Sequence, residues 1–220
     1  MKISEKEDLL FAEWREKRPD LVADGIADEQ AYSASPIKLL FVLKEVNDPD
    51  GGGWDLREFI CAGGRPQTWN NITRWTEGIQ QLSKDSPWSD LESIDERRRK
   101  QALSSIAAIN LKKTPGGHTT DIDGLAATAT EDREFLNRQM GLYDPDIIIC
   151  CGAATSDILH SLIHFSDEPF WKMTRRGVWF HEFRPGKYVI RYEHPEARVA
   201  DCLLYYGFID AVREIIGVID

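Results

Sequence analysis

The sequence predicts an α/β protein, a three-layer α/β/α sandwich on a central four-stranded parallel sheet. Three observations lead there. Unbroken apolar runs recur along the chain: "IKLLFVL", "SSIAAINL", "DIIICCG" and "KYVIRY". Such runs fit strands buried on both faces, as helices on both sides of a parallel sheet require. Segments of helical spacing lie between them, so helix and strand alternate. With no internal repeat and no linker, residues 1–220 read as one domain, with an N-terminal helical extension over about 1–35.

The elements follow in order. "EKEDLLFAEWREKRP" places Leu9, Leu10, Ala12 and Trp14 at helical spacing, and Pro19 stops it. The first strand, 37–43, runs into the glycine-rich loop "NDPDGGGWD". Trp69, Ile72, Trp75 and Ile79 mark a helix over 68–82. The charged stretch "ERRRK" reads as a solvated helix face leading into the second strand, 104–110. "TPGGHTTDIDG" reads as loop, and "TEDREFLNRQMGLYDP" as a helix ended by Asp-Pro. The third strand, 146–151, leads through Gly152 into the helix "ATSDILHSLI". "VWFHEF" and "KYVIRY" read as a strand pair joined by a Pro-Gly turn, with 187–192 as the fourth core strand. "ARVADCLLYYGFIDAVREIIGVI" closes the chain as an amphipathic helix.

Composition narrows the function classes. Hydrophobic residues make up 42% and charged residues 29%, as in ordinary globular proteins. No apolar run reaches 18 residues, and the charged N-terminus lacks the apolar core of a secretory signal. A cytoplasmic monomer without membrane contact is expected. Cys61, Cys150, Cys151 and Cys202 form no C-x-x-C pair, so reduced thiols are expected and no metal site. The net charge of −10 argues against a nucleic-acid partner if taken as a sum. Its distribution points the other way. Residues 96–118 hold six basic residues to one acidic, and 171–198 hold seven to three.

In open parallel sheets, ligands bind beyond the carboxyl ends of the strands. The residues there are Lys44 to Asp48, Asn110 to Lys113, Gly152-Ala153 and Glu193-His194-Pro195. Proline after His194 ends the strand and holds the histidine at a defined exit point.

Read together, these strand ends resemble the uracil-DNA glycosylase superfamily. "FVLKEVND" stands at the place of the first motif, and "IAAIN" supplies a strand-end asparagine. "DPDIIICCGAAT" is similar to the strand that enters a helix through glycine, and "YEHPEAR" to the closing His-Pro motif. "GGRPQTWNNITRW" is similar to the Gly-Arg-Pro segment of the iron–sulfur branches. The likeness covers roughly residues 37 to 215. Lys44 and Asn47 replace the first-motif glycine and proline, and Glu196 follows the His-Pro pair where serine or alanine is usual. The cluster cysteines are missing, so no iron–sulfur cluster and no other cofactor is expected.

The resemblance implies a uracil-DNA glycosylase-like fold and cleavage of the N-glycosidic bond of a damaged or modified base flipped out of DNA. Glu45, or else Asp48, would stabilise the cationic sugar or orient water. Asn110 would read the base edge with one donor and one acceptor. His194 would donate to a base carbonyl as charge develops there. Trp54, Phe59 and Trp69 are the candidate rings for stacking the extruded base. Lys112, Lys113 and Arg198, with Arg175 or Arg176, would line a phosphate path. Each has a structural alternative: Glu45 pairing with Lys44, Asn110 satisfying loop backbone, Arg198 pairing with Glu196 or Asp201. Two other readings stand beside the enzyme. One is a catalytically inactive nucleic-acid-binding protein on the same fold. The other is a small-molecule enzyme acting on nucleosides or nucleotides.

Overall fold

The computed structural model describes residues 1–48, 51–117, 119–163 and 170–218. Parts of the expected loops at 47–55 and 114–124, and the last residue of the expected final helix, lie outside them. The class is α/β. Seven strands form one mixed sheet: β1 (Gly25–Ile26), β2 (Leu39–Leu43), β3 (Ile106–Asn110), β4 (Ile147–Cys151), β5 (Lys172–Met173), β6 (Trp179–Arg184) and β7 (Lys187–Tyr192). Their order is β1-β3-β2-β4-β7-β6-β5.

β3 pairs parallel with β2, β2 with β4, and β4 with β7. β1 adds to β3, β6 to β7 and β5 to β6, all antiparallel. The sheet is therefore larger than the four strands expected. The added strands have physical reasons. β6 and β7 are joined by a tight turn that includes Gly186 at φ +74°, and a hairpin must run antiparallel. β1 and β5 have two residues each, too few to show any periodicity.

Ten helices among the described residues cover both faces: α1 (Ile3–Lys17), α2 (Glu29–Ala34), α3 (Leu56–Cys61), α4 (Pro66–Gln80), α5 (Trp88–Leu91), α6 (Glu96–Leu103), α7 (Ile122–Glu131), α8 (Arg133–Tyr143), α9 (Ala153–Leu162) and α10 (Asp201–Ile215). Leu39, Phe41 and Leu43 of β2 point into one core with α4 and α10; Leu40 and Val42 point into the other with α1, α8 and α9. This alternation within an all-apolar strand explains the unbroken run. α1 is integral to the second core, since Phe11 and Trp14 are fully buried.

Local chemistry sets the helix ends. α4 starts with Pro66, whose fixed φ suits the first helical position. Before it, Gly64 has φ +59°, and a Cβ there would stand 2.3 Å from Trp69 Cδ1, so only glycine fits. The helix expected over 130–145 begins only at Arg133, and residues 130–131 end the preceding α7. The chain breaks at Asp132, whose fully buried carboxylate pairs at 2.8 Å with Lys17, the last residue of α1, and at 3.1 Å with Arg18 just past it. Part of the expected 114–124 loop already belongs to α7. Asp144, with φ +45°, ends α8 just before Pro145.

Candidate functional site

The carboxyl ends of β2 and β3 stay paired beyond the strands. Leu111 N–H donates to Leu43 O at 3.0 Å, and Lys112 N–H to Lys44 O at 2.9 Å. Further on, Gly116 N–H donates to Val46 O at 2.8 Å and Asp48 N–H to Gly116 O at 3.1 Å. The two loops thus form one ribbon, which presents Glu45 and Asp48.

Glu45 Oε2 accepts from Lys112 Nζ, and the glutamate side chain is only 5% exposed. The partner is Lys112, not the neighbouring Lys44. A Cβ on Gly116 would fall 2.1 Å from Glu45 Cδ, so this glycine makes room for the carboxylate. One catalytic candidate and one phosphate candidate therefore neutralise each other. Asp48 is held differently. Its Oδ2 accepts from Trp54 Nε1 at 2.8 Å, and Trp54 meets Phe59 edge to face at 5.9 Å. Both rings are partly buried and rest against the first core.

His194 leaves β7 after Glu193 and enters a turn, in which Ala197 N–H donates to His194 O at 2.9 Å. The Glu196 N–H donates to His194 Nδ1 at 3.1 Å. With Nδ1 accepting, a neutral imidazole carries its proton on Nε2. Burial depresses the His194 pKa, and the charge of Lys44 adds to this, while Glu196 opposes it. β2 and β7 are two strand spacings apart, about 10 Å, with β4 between them. β3 and β7 are three strand spacings apart, about 14 Å.

Several expected site residues stand elsewhere. Lys113 has a fully buried side chain that bonds Asp24 Oδ1 at 2.6 Å, so it cannot reach a phosphate. The same carboxylate accepts the Asn110 backbone N–H at 2.7 Å and Gln139 Nε2 at 2.9 Å. The Asn110 side chain is only 3% exposed, and its amide lies 3.4 Å from Asp24 Oδ2. As placed, Asn110 is closed to an incoming base. Trp69 is a core side chain packed on Gly64, which removes it as a stacking ring. Arg176 pairs with Asp210 and the Arg175 N–H bonds Glu214, both toward the carboxyl end of α10. Asp210 and Glu214 lie about 14 Å and 20 Å along α10 from Asp201, where the helix begins, so these arginines do not join a lip with Arg198. Arg198 itself is exposed, and among the described residues neither Glu196 nor Asp201 pairs with it. Glu196 accepts from Thr68 Oγ1, while Asp201 pairs with Arg74 at 2.9 Å.

Residues outside the expected set complete the site. Asn71 and Arg74 on α4, both nearly fully buried, anchor the His194 turn. The sequence held no clear signal for Asn71, whose helical neighbours Gln67, Thr68 and Arg74 are polar too. Asp24 carried none, because nothing local marks a loop aspartate as the partner of a lysine 89 residues away. Among the described residues, no group of three or more His, Cys, Asp or Glu could hold a metal ion, and no helix is long and apolar enough to cross a membrane. No protein-family model matches this chain, and no curated protein matches it.

Proposed function

We propose that the chain is a DNA glycosylase-like hydrolase of the uracil-DNA glycosylase superfamily, cleaving the N-glycosidic bond of a modified base flipped out of DNA. The observation that carries the reading is His194. It stands past the end of β7, with Nδ1 occupied by a backbone N–H and protonation disfavoured by burial and Lys44. Such a group donates from Nε2 without first losing a proton. That is what a leaving base needs as negative charge grows on its carbonyl oxygen. Glu45 lies past the end of a second strand of the sheet and supplies the carboxylate for the sugar side; Asp48 is its alternative. Trp54 and Phe59 offer the faces for the extruded base. Arg198, exposed and without a partner among the described residues, is the cation offered to a flanking phosphate.

A pH profile follows from this reading. The working form of His194 is neutral, and its pKa is depressed, so base release should hold steady from alkaline pH down through neutrality. It should fall only below the ordinary histidine range, near 6.5. A rate that rises on acidification through pH 6 would contradict the neutral-donor role. For the phosphate path, Arg198→Gln should lower the slope of log K against log salt by about 0.9. An unchanged slope would take Arg198 off the DNA path.

The Glu45–Lys112 pair favours a second reading, a nucleic-acid-binding protein without catalysis, because the carboxylate is already neutralised. Oligonucleotides carrying one modified base each, single- and double-stranded, separate the two. Abasic sites arising on one of them support the hydrolase. DNA binding with no abasic site on any of them supports the binding protein.

A further inference from the structure

We propose that Asn71, held by Arg74, is a positioning residue that sets the tautomer and aim of His194 from helix α4. The inference rests on the reading of His194 as the donor to a leaving base.

One peptide unit, Pro195–Glu196, joins α4 to the imidazole. Its carbonyl, Pro195 O, accepts from Asn71 Nδ2 at 2.8 Å. The N–H at its other end, on Glu196, donates to His194 Nδ1 at 3.1 Å. A peptide unit is planar, so fixing the direction of its carbonyl fixes the direction of its N–H. Asn71 therefore aims the very N–H that occupies Nδ1.

Asn71 is itself held on both sides. Its Oδ1 accepts from Arg74 Nη1 at 2.6 Å, and its Nδ2 also donates to Asp201 Oδ1 at 2.9 Å. This settles which way the amide faces, because only the nitrogen can donate to Pro195 O. Arg74 is immobilised in turn. Its Nε donates to Leu91 O at 2.8 Å, its Nη2 to Glu92 O at 3.0 Å and its Nη1 to Asp201 Oδ2 at 2.9 Å. The chain of donors thus runs from a buried guanidinium through an amide and a peptide to the imidazole. Each N–H points toward His194, and bonds aligned in this way polarise one another in the same sense. Nδ1 is left as the acceptor and Nε2 as the carrier of the proton. Lys44 and Glu196 are the charged groups acting on the ring, with opposite effects on its charge.

The direct readout is the imidazole nitrogen spectrum of the full chain, ¹⁵N-labelled at histidine, with His194 assigned by its loss in His194→Ala. Wild type should show an Nε2–H, Nδ1-acceptor pattern at neutral pH. Asn71→Ala should mix the two neutral tautomers and raise the midpoint of the His194 titration. Where wild type releases base, Asn71→Ala should lower kcat roughly 10- to 100-fold, the scale of a small misplacement, with KM little changed. The same substitution in a His194→Ala background should add no further loss, as expected for residues acting as a unit. If Asn71→Ala does not fold, Asn71→Ser replaces it. An Nδ1–H or protonated His194 in the wild-type chain at neutral pH overturns the proposal with no variant needed. So does an unchanged tautomer pattern in a folded Asn71 variant. The expected tautomer shift without base release from wild type would leave the positioning intact and sink the glycosylase reading instead.

Discussion

His194→Ala should release base about 10²–10³-fold more slowly than wild type, the loss seen when one preorganised donor to a developing oxyanion is removed. The reasoning is geometric. The imidazole sits past the end of β7 with Nδ1 engaged, and burial keeps it neutral, so its Nε2–H is available throughout the reaction. DNA affinity should change little, because phosphate contacts supply most of it. Folding should also survive. The turn is held by Asn71 on Pro195 O and by the Ala197 N–H on His194 O, neither of which needs the ring. Single-turnover rate and thermal midpoint measured on one preparation separate the roles. A wild-type rate in a folded His194→Ala protein would make the His-Pro pair architectural.

Asp24→Ala should destabilise the fold by about 3–5 kcal/mol, the cost of leaving one partner of a buried ion pair uncompensated. Against a total of about 5–15 kcal/mol for a globular domain, that is a large fraction. Asp24 is completely buried, and its carboxylate takes Lys113 Nζ, Gln139 Nε2 and the Asn110 N–H. Removing it strands a lysine with no access to water and orphans two further donors. Burial already depresses the Lys113 pKa against the pull of Asp24, so without Asp24 the lysine would shed its proton rather than stay charged. Replacing both partners, Asp24→Asn with Lys113→Met, should recover much of the loss, because no charge is then buried. Urea unfolding of the three proteins tests this. An Asp24→Ala midpoint equal to wild type would show that the carboxylate is dispensable.

Much of the architecture was legible because it rests on local pattern. The runs at 37–43, 104–110, 146–151 and 187–192 each contain a strand, and α4 and α10 follow the spacing of their apolar residues. Strand-end positions then pointed to Glu45 and His194, both of which stand just past strand ends. What stayed illegible depends on contacts between distant residues. Lys112 and Lys113 are adjacent and chemically alike in the sequence. In the fold, one pairs with Glu45 in partial exposure and the other is sealed on Asp24. Alternation of side chains past the strand end separates them, and no composition window can see it. Trp69 stood among the candidate rings although its spacing already placed it on a helix. The stripe it shares with Ile72 and Trp75 is buried, so the spacing was the better guide than the ring chemistry. Asp132 moved the start of the helix expected over 130–145 to Arg133, because two cations at the end of α1, Lys17 and Arg18, pair with its carboxylate.

The most direct test of the central claim is the mass of what the chain releases from DNA bearing a modified base, with enzyme in excess. N-glycosidic hydrolysis adds one water, yielding one free base and one abasic deoxyribose per cleavage event. Free base and abasic strand should appear in equal amounts and at one rate, slowed together in His194→Ala. Intact DNA with no free base, across modified bases in both single and double strands, would contradict it.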